Sequence, residues 1–96
     1  MVTLRTLAAR RADILALAEQ YRAANVRVFG SVVRGDNTES SDVDFLISPK
    51  RGCSLWDLGG LLEDLQSLLG CRVDLVTEEG LKPRLRERVL KEAVPL

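Results

Sequence analysis

Two short apolar runs, residues 26–29 and 42–48, flank a polar segment punctuated by glycine, and their closeness constrains this chain more than any other feature. Val26-Arg27-Val28-Phe29 alternates apolar and polar side chains and ends at Gly30, the pattern of a strand entering a tight turn. Val43, Phe45 and Ile47 alternate with Asp42, Asp44, Leu46 and Ser48, so residues 42–48 form a second strand with Val, Phe and Ile on the core face. Between the two, Ser31 is placed to cap a short helical turn through Val32, Val33 and Arg34 that Gly35 ends. Asp36-Asn37-Thr38-Glu39-Ser40-Ser41 is polar and turn-prone and reads as a loop. So short a connection favours an antiparallel or mixed pairing of the two strands.

The rest of the chain supplies helices around them. Leu4, Leu7, Ile14, Leu15 and Ala18 fall on one side of a 3.6-residue period, which predicts an amphipathic helix over residues 3–24, the longest in the chain. Ser54 with Asp57 three positions on resembles a capping box, and Leu55, Leu58, Leu62, Leu65 and Leu69 follow at helical spacing until Gly70. Gly59 and Gly60 inside that helix weaken it by roughly 1 kcal/mol each relative to alanine. Residues 72–77 alternate again, with Val73 and Leu75 on one face and Arg72, Asp74 and Val76 on the other. Pro83 suits a first helical turn, and Leu85, Val89, Leu90 and Ala93 mark a last helix that stops near Pro95. Two strands separated by a leucine-rich helix suggest a βαβ unit. The expectation is an α/β (α+β) fold: a small mixed three-stranded sheet with flanking helices, built as one domain over residues 1–96.

Composition narrows the chemistry. Fourteen Lys and Arg cancel fourteen Asp and Glu, which removes the electrostatic footprint of a stable nucleic-acid binder. Arg5, Arg10, Arg11 and Asp13 interrupt the amino-terminal apolar stretch, so neither a signal peptide nor a membrane span is expected and the location is cytoplasmic. Cys53 and Cys71 have no second pair, and the chain has no histidine, which excludes the usual zinc spacings, a disulfide scaffold and histidine-based catalysis.

Carboxylates remain. Asp42 and Asp44 are two apart on a strand and project from one face, close enough to converge on shared cations. Mg²⁺ takes oxygen ligands and commonly uses one or two carboxylates plus substrate phosphates. Asp74, on the next strand and opposite in facing to Val73 and Leu75, can supply a third. The Gly30-Ser31 turn suits a phosphate as well as an ordinary helix cap. An Asp-x-Asp on a strand is often only a solvated face, and Arg34 can pair with phosphate or brace the loop against Asp42 or Asp44.

Taken in order, Gly30-Ser31-Val32-Val33-Arg34-Gly35 through Ser41-Asp42-Val43-Asp44 resembles the signature of the DNA polymerase β nucleotidyltransferase superfamily, and Asp74 falls where its third carboxylate is expected. The small size, the leading helix and the carboxy-terminal Leu85–Leu96 resemble its minimal nucleotidyltransferase (MNT) family across essentially the whole chain. The resemblance implies a Mg²⁺-dependent transfer of a nucleoside monophosphate from an NTP, AMP from ATP, to a hydroxyl. It places two metal ions on Asp42 and Asp44, gives Asp74 the ion that activates the acceptor hydroxyl, and sets Gly30, Ser31 and Arg34 against the nucleotide. It further implies an antitoxin role: proteins similar to this one nucleotidylate a tyrosine of a HEPN-domain ribonuclease toxin. Val33 departs from the smaller residue usual before the arginine. Ninety-six residues leave little chain for an acceptor-binding domain, so a partner protein completing the site fits the size. A binding module that silences its partner by occlusion, and a small-molecule transferase lacking an evident acceptor domain, are the other readings.

Among the remaining residues, Trp56 can stack a base or belong to a core or interface. Phe29 and Phe45 read as core, Tyr21 as half-buried, and Cys53 and Cys71 as small neutral positions. Lys82, Arg84, Arg86, Arg88 and Lys91 form a basic face, solvated and partly paired with Glu87 and Glu92, or open to an acidic partner or RNA phosphates.

Overall fold

A computed structural model describes residues 1–96. Helices α1 (Leu4–Ala9) and α2 (Arg11–Gln20) precede strand β1 (Ala23–Phe29), helical turn α3 (Ser31–Arg34) and strand β2 (Val43–Pro49). Helix α4 (Leu55–Leu69), strand β3 (Val73–Thr77), helix α5 (Pro83–Glu92) and the two-residue strand β4 (Val94–Pro95) follow. The sheet runs β3-β2-β1-β4. β1 and β2 pair antiparallel, and β2 and β3 pair parallel through α4, as the connection lengths required.

The sheet has four strands where the sequence suggested three. β4 is only Val94-Pro95, beside Val28 and Arg27, and its pairing is completed by the Leu96 N–H to Val26 O at 3.1 Å. Two residues carry no alternation to detect. The single helix expected over residues 3–24 is instead α1 and α2, broken at Arg10, and α4 is the longest helix. Residues 8–13 contain no large apolar side chain, so the fully buried Leu7 anchors α1, the fully buried Ile14 with Ala18 anchors α2, and each piece turns its own anchors inward. β1 starts at Ala23, earlier than its apolar pattern, because Arg22 and Asn25 adopt left-handed backbone and the register slips between Ala24 and Arg27.

One face of the sheet carries the main core. Val26, Val28, Val43, Phe45, Ile47 and Val73 pack there against Leu7, Ile14, Ala18, Leu61 and Leu65. The Ser54–Asp57 capping box starts α4 and Gly70 ends it. Gly60 is a packing requirement, since a Cβ there would stand 2.5 Å from the Tyr21 ring, whose hydroxyl donates to Asp64 at 2.5 Å. Leu55 and Trp56 in the first turn of α4 are exposed, so Trp56 is not core and Leu55 does not join the apolar face. The other face of the sheet is covered only in part. Leu46 is fully buried there beneath Leu81 and Val89 of the α5 region, with Phe29, Val76 and Ala93 packed against them. No helix is long and apolar enough to cross a membrane.

Candidate active site

The β1–α3 turn is where backbone and acid meet. Gly30 has φ 80° and is buried at the end of β1. A Cβ at this position would overlap the Asp44 carboxylate and stand 3.0 Å from its Cγ. Glycine is therefore needed twice, for a backbone that L side chains avoid and for the approach of Asp44. Gly30, not Ser31, takes the N-cap position, and no side chain caps this turn; Ser31 is its first helical residue.

Asp44 and Asp74 are register partners on the parallel strands β2 and β3, so their backbones lie about 4.8 Å apart and their side chains share a face. Val43 and Val73 beside them face the opposite way, into the core. Asp42 lies one residue before β2, on the same side as Asp44 by strand alternation. Burial pushes the Asp44 carboxyl up to about 6, helped by the negative charges of Asp74 and Asp42. Arg72 Nε stands 3.1 Å from Asp42 Oδ1 but off the line a hydrogen bond needs, so this buried oxygen keeps no hydrogen-bond partner. The three acids share one face of the sheet, yet no three acidic or thiol groups stand close enough together to enclose a metal ion as they are. Asp42 is ion-paired with Arg72 at the rim.

Arg34 braces neither Asp42 nor Asp44. Its guanidinium donates to Glu92 Oε1 at 2.7 Å and to Asp36 at 3.3 Å. The second Glu92 oxygen accepts the Gly30 N–H at 2.9 Å. Desolvation pushes the Glu92 carboxyl up, but the hydrogen bonds from Arg34 and Gly30 outweigh it and hold the group below its ordinary value. Sequence reasoning grouped Glu92 with the basic residues of its own helix; nothing local to α5 reveals a partner on α3, and only the β4 turn-back places it there. Arg72 was likewise read only as the outer face of a strand. A separate cavity of about 600 Å³, lined by residues including Val2, Thr6, Val32, Asn37 and Leu68, includes none of these acids.

The donor set suits a hard cation and a polyphosphate: carboxylate oxygens, one of them unpartnered, beside a backbone N–H and a guanidinium. Comparison with known proteins places the fold in a family. Residues 14–96 match the family model described as nucleotidyltransferase domain. Over 78 residues the chain is 44% identical to the protein adenylyltransferase MntA of Thermococcus cleftensis, an alignment covering 81% of this chain and 79% of that protein. A solved structure described provisionally as a minimal nucleotidyltransferase superposes with a TM-score of 0.88 at 52% identity, over 99% of this chain and 97% of that one. A toxin–antitoxin crystal structure with AMP-PNP superposes with a TM-score of 0.73 at 22% identity over 88% of this chain and 69% of that one, a likeness of fold alone. The mixed sheet and its helices are those of the polymerase β-type nucleotidyltransferase fold. Fold, matched residues and relatives together make this chain a member of the nucleotidyltransferase domain family and a nucleotidyltransferase.

Proposed function

We propose that the protein moves AMP from ATP to a hydroxyl of a partner protein in the cytoplasm, and that the partner is a HEPN-domain toxin modified on tyrosine. The observation that carries the catalytic part is the pairing of Asp44 with Asp74 on one sheet face, with Gly30 pressed against Asp44. The acceptor oxygen attacks the α-phosphorus, a P–O bond forms, the bond to the bridging oxygen breaks, and pyrophosphate leaves. Asp74, the exposed member, takes the acceptor proton on a carboxylate oxygen, while Gly30, Ser31 and Arg34 hold the triphosphate. Asp42, Asp44 and Asp74 would hold two Mg²⁺ ions, which neutralise phosphate charge and lower the acceptor's pKa. The unpartnered Asp42 oxygen and the raised Asp44 carboxyl support that ligand set. The antitoxin role is supported by the adenylyltransferase name of the Thermococcus relative and by the toxin–antitoxin structures that share the fold.

The test is transfer of label from α-labelled ATP with Mg²⁺ to a candidate HEPN-domain toxin. We expect a labelled toxin with the native chain and none with the Asp42→Asn, Asp44→Asn double variant. Equal labelling by both proteins removes the mechanism. A double variant that transfers nothing yet still silences the toxin at stoichiometric ratio transfers the antitoxin role from catalysis to occlusion.

A further inference from the structure

Glu92 sits where a nucleotide's phosphates are expected, an arrangement whose meaning rests on the nucleotide reading above. Its carboxylate is mostly buried, with the side chain 19% exposed, and it comes from the last residue of α5, far from the turn in sequence. Each oxygen takes one donor: Oε2 accepts the Gly30 N–H at 2.9 Å and Oε1 accepts from Arg34 Nη1 at 2.7 Å. A residue whose only task was to steady Arg34 would need one oxygen; the second consumes the backbone donor at the glycine turn. The placement also adds a fourth acid to a site already holding Asp42, Asp44 and Asp74, and its charge further disfavours ionised Asp44. Fixed negative charge in that position opposes a polyphosphate on electrostatic grounds, so the carboxylate serves the free protein better than the loaded one.

We propose that Glu92 is a built-in anion that fills the triphosphate cradle of the free protein, is displaced when nucleotide binds, and thereby sets nucleotide affinity. Displacement needs little rearrangement. Glu92 ends its helix, and Ala93 beyond it leaves helical backbone before β4 pairs with β1, so the side chain can swing out while Val89 stays docked on Leu46. The exchange of one anion for another leaves Gly30 N–H and Arg34 paired throughout.

The measurement is calorimetric titration of the full chain with AMP-PNP and Mg²⁺, for the native protein, Glu92→Gln and Glu92→Asp. Glu92→Gln removes the charge; Glu92→Asp keeps it but withdraws the oxygens by one methylene. Apparent affinity scales with the fraction of molecules whose cradle is open, so Glu92→Gln is expected to tighten binding about five- to tenfold and Glu92→Asp about twofold or more. Unchanged or weaker binding by both variants, with a native protein that binds, overturns the proposal and leaves the nucleotide reading standing. Tightening by Glu92→Gln alone assigns the effect to charge and overturns occupancy. No binding by any of the three overturns the nucleotide reading itself, and this proposal with it.

Discussion

Replacing Asp44 by asparagine should make the protein more stable while it destroys transfer. Asp44 is a half-buried carboxylate beside two others, and an aspartate ordinarily near 3.8 is held at about 6. At 1.36 kcal/mol per pH unit, the penalty for keeping it ionised has a ceiling of about 3 kcal/mol, and solvent screening of a half-exposed group reduces this to about 1–2 kcal/mol. The folded state keeps the Asp44 proton to higher pH than the unfolded chain does, so between about pH 4 and 6 folding takes up protons and stability from this group falls as pH rises. Below that window Asp44 is protonated in both states and the penalty vanishes. In EDTA, Asp44→Asn should therefore match the native protein near pH 3.5 and exceed it by about 1–2 kcal/mol at pH 7.5, a rise in Tm of roughly 4–15 °C for a chain of this size. Urea and thermal unfolding at both pH values read the difference, and comparing the two proteins cancels the other acids. A variant less stable than native at pH 7.5, or an advantage equal at both pH values, refutes the reasoning.

Two further substitutions separate packing from propensity. Gly59→Ala has open space around its Cβ and should stabilise α4 by up to about 1 kcal/mol, whereas Gly60→Ala meets the Tyr21 ring and should cost about 1–3 kcal/mol; urea midpoints of opposite sign are the expected result, and two stabilised variants would contradict the Tyr21 contact. Leu46→Ala should cost about 2–5 kcal/mol because α5 buries it on the second sheet face. A loss under about 0.5 kcal/mol, as for a solvent-facing position, would mean α5 does not pack there.

The strands were legible because Val43, Phe45 and Ile47 alternate against a single large core, and that periodicity survives in any context. Ser54 with Asp57 was legible for a similar reason: a cap is a local interaction written in adjacent residues. The same alternation placed Asp44 and Asp74 together, once β2 and β3 were joined through a helix and hence parallel. What stayed hidden depends on contacts distant in sequence. Leu46 read as the outer face because nothing in residues 42–48 announces that α5 returns to cover it. The helix break at Arg10 follows from where Leu7 and Ile14 must point, a requirement set by the sheet. Glu92 looked like an ordinary helix-surface acid, and its hold on Gly30 and Arg34 exists only because β4 folds back along β1.

The most direct test of the central claim is anomalous diffraction from crystals of the protein grown with Mn²⁺ and AMP-PNP. The account expects manganese peaks bounded by Asp42, Asp44 and Asp74, and the triphosphate lying along Gly30-Ser31 with Glu92 turned away. Manganese elsewhere, or a nucleotide seated away from that glycine turn, contradicts it.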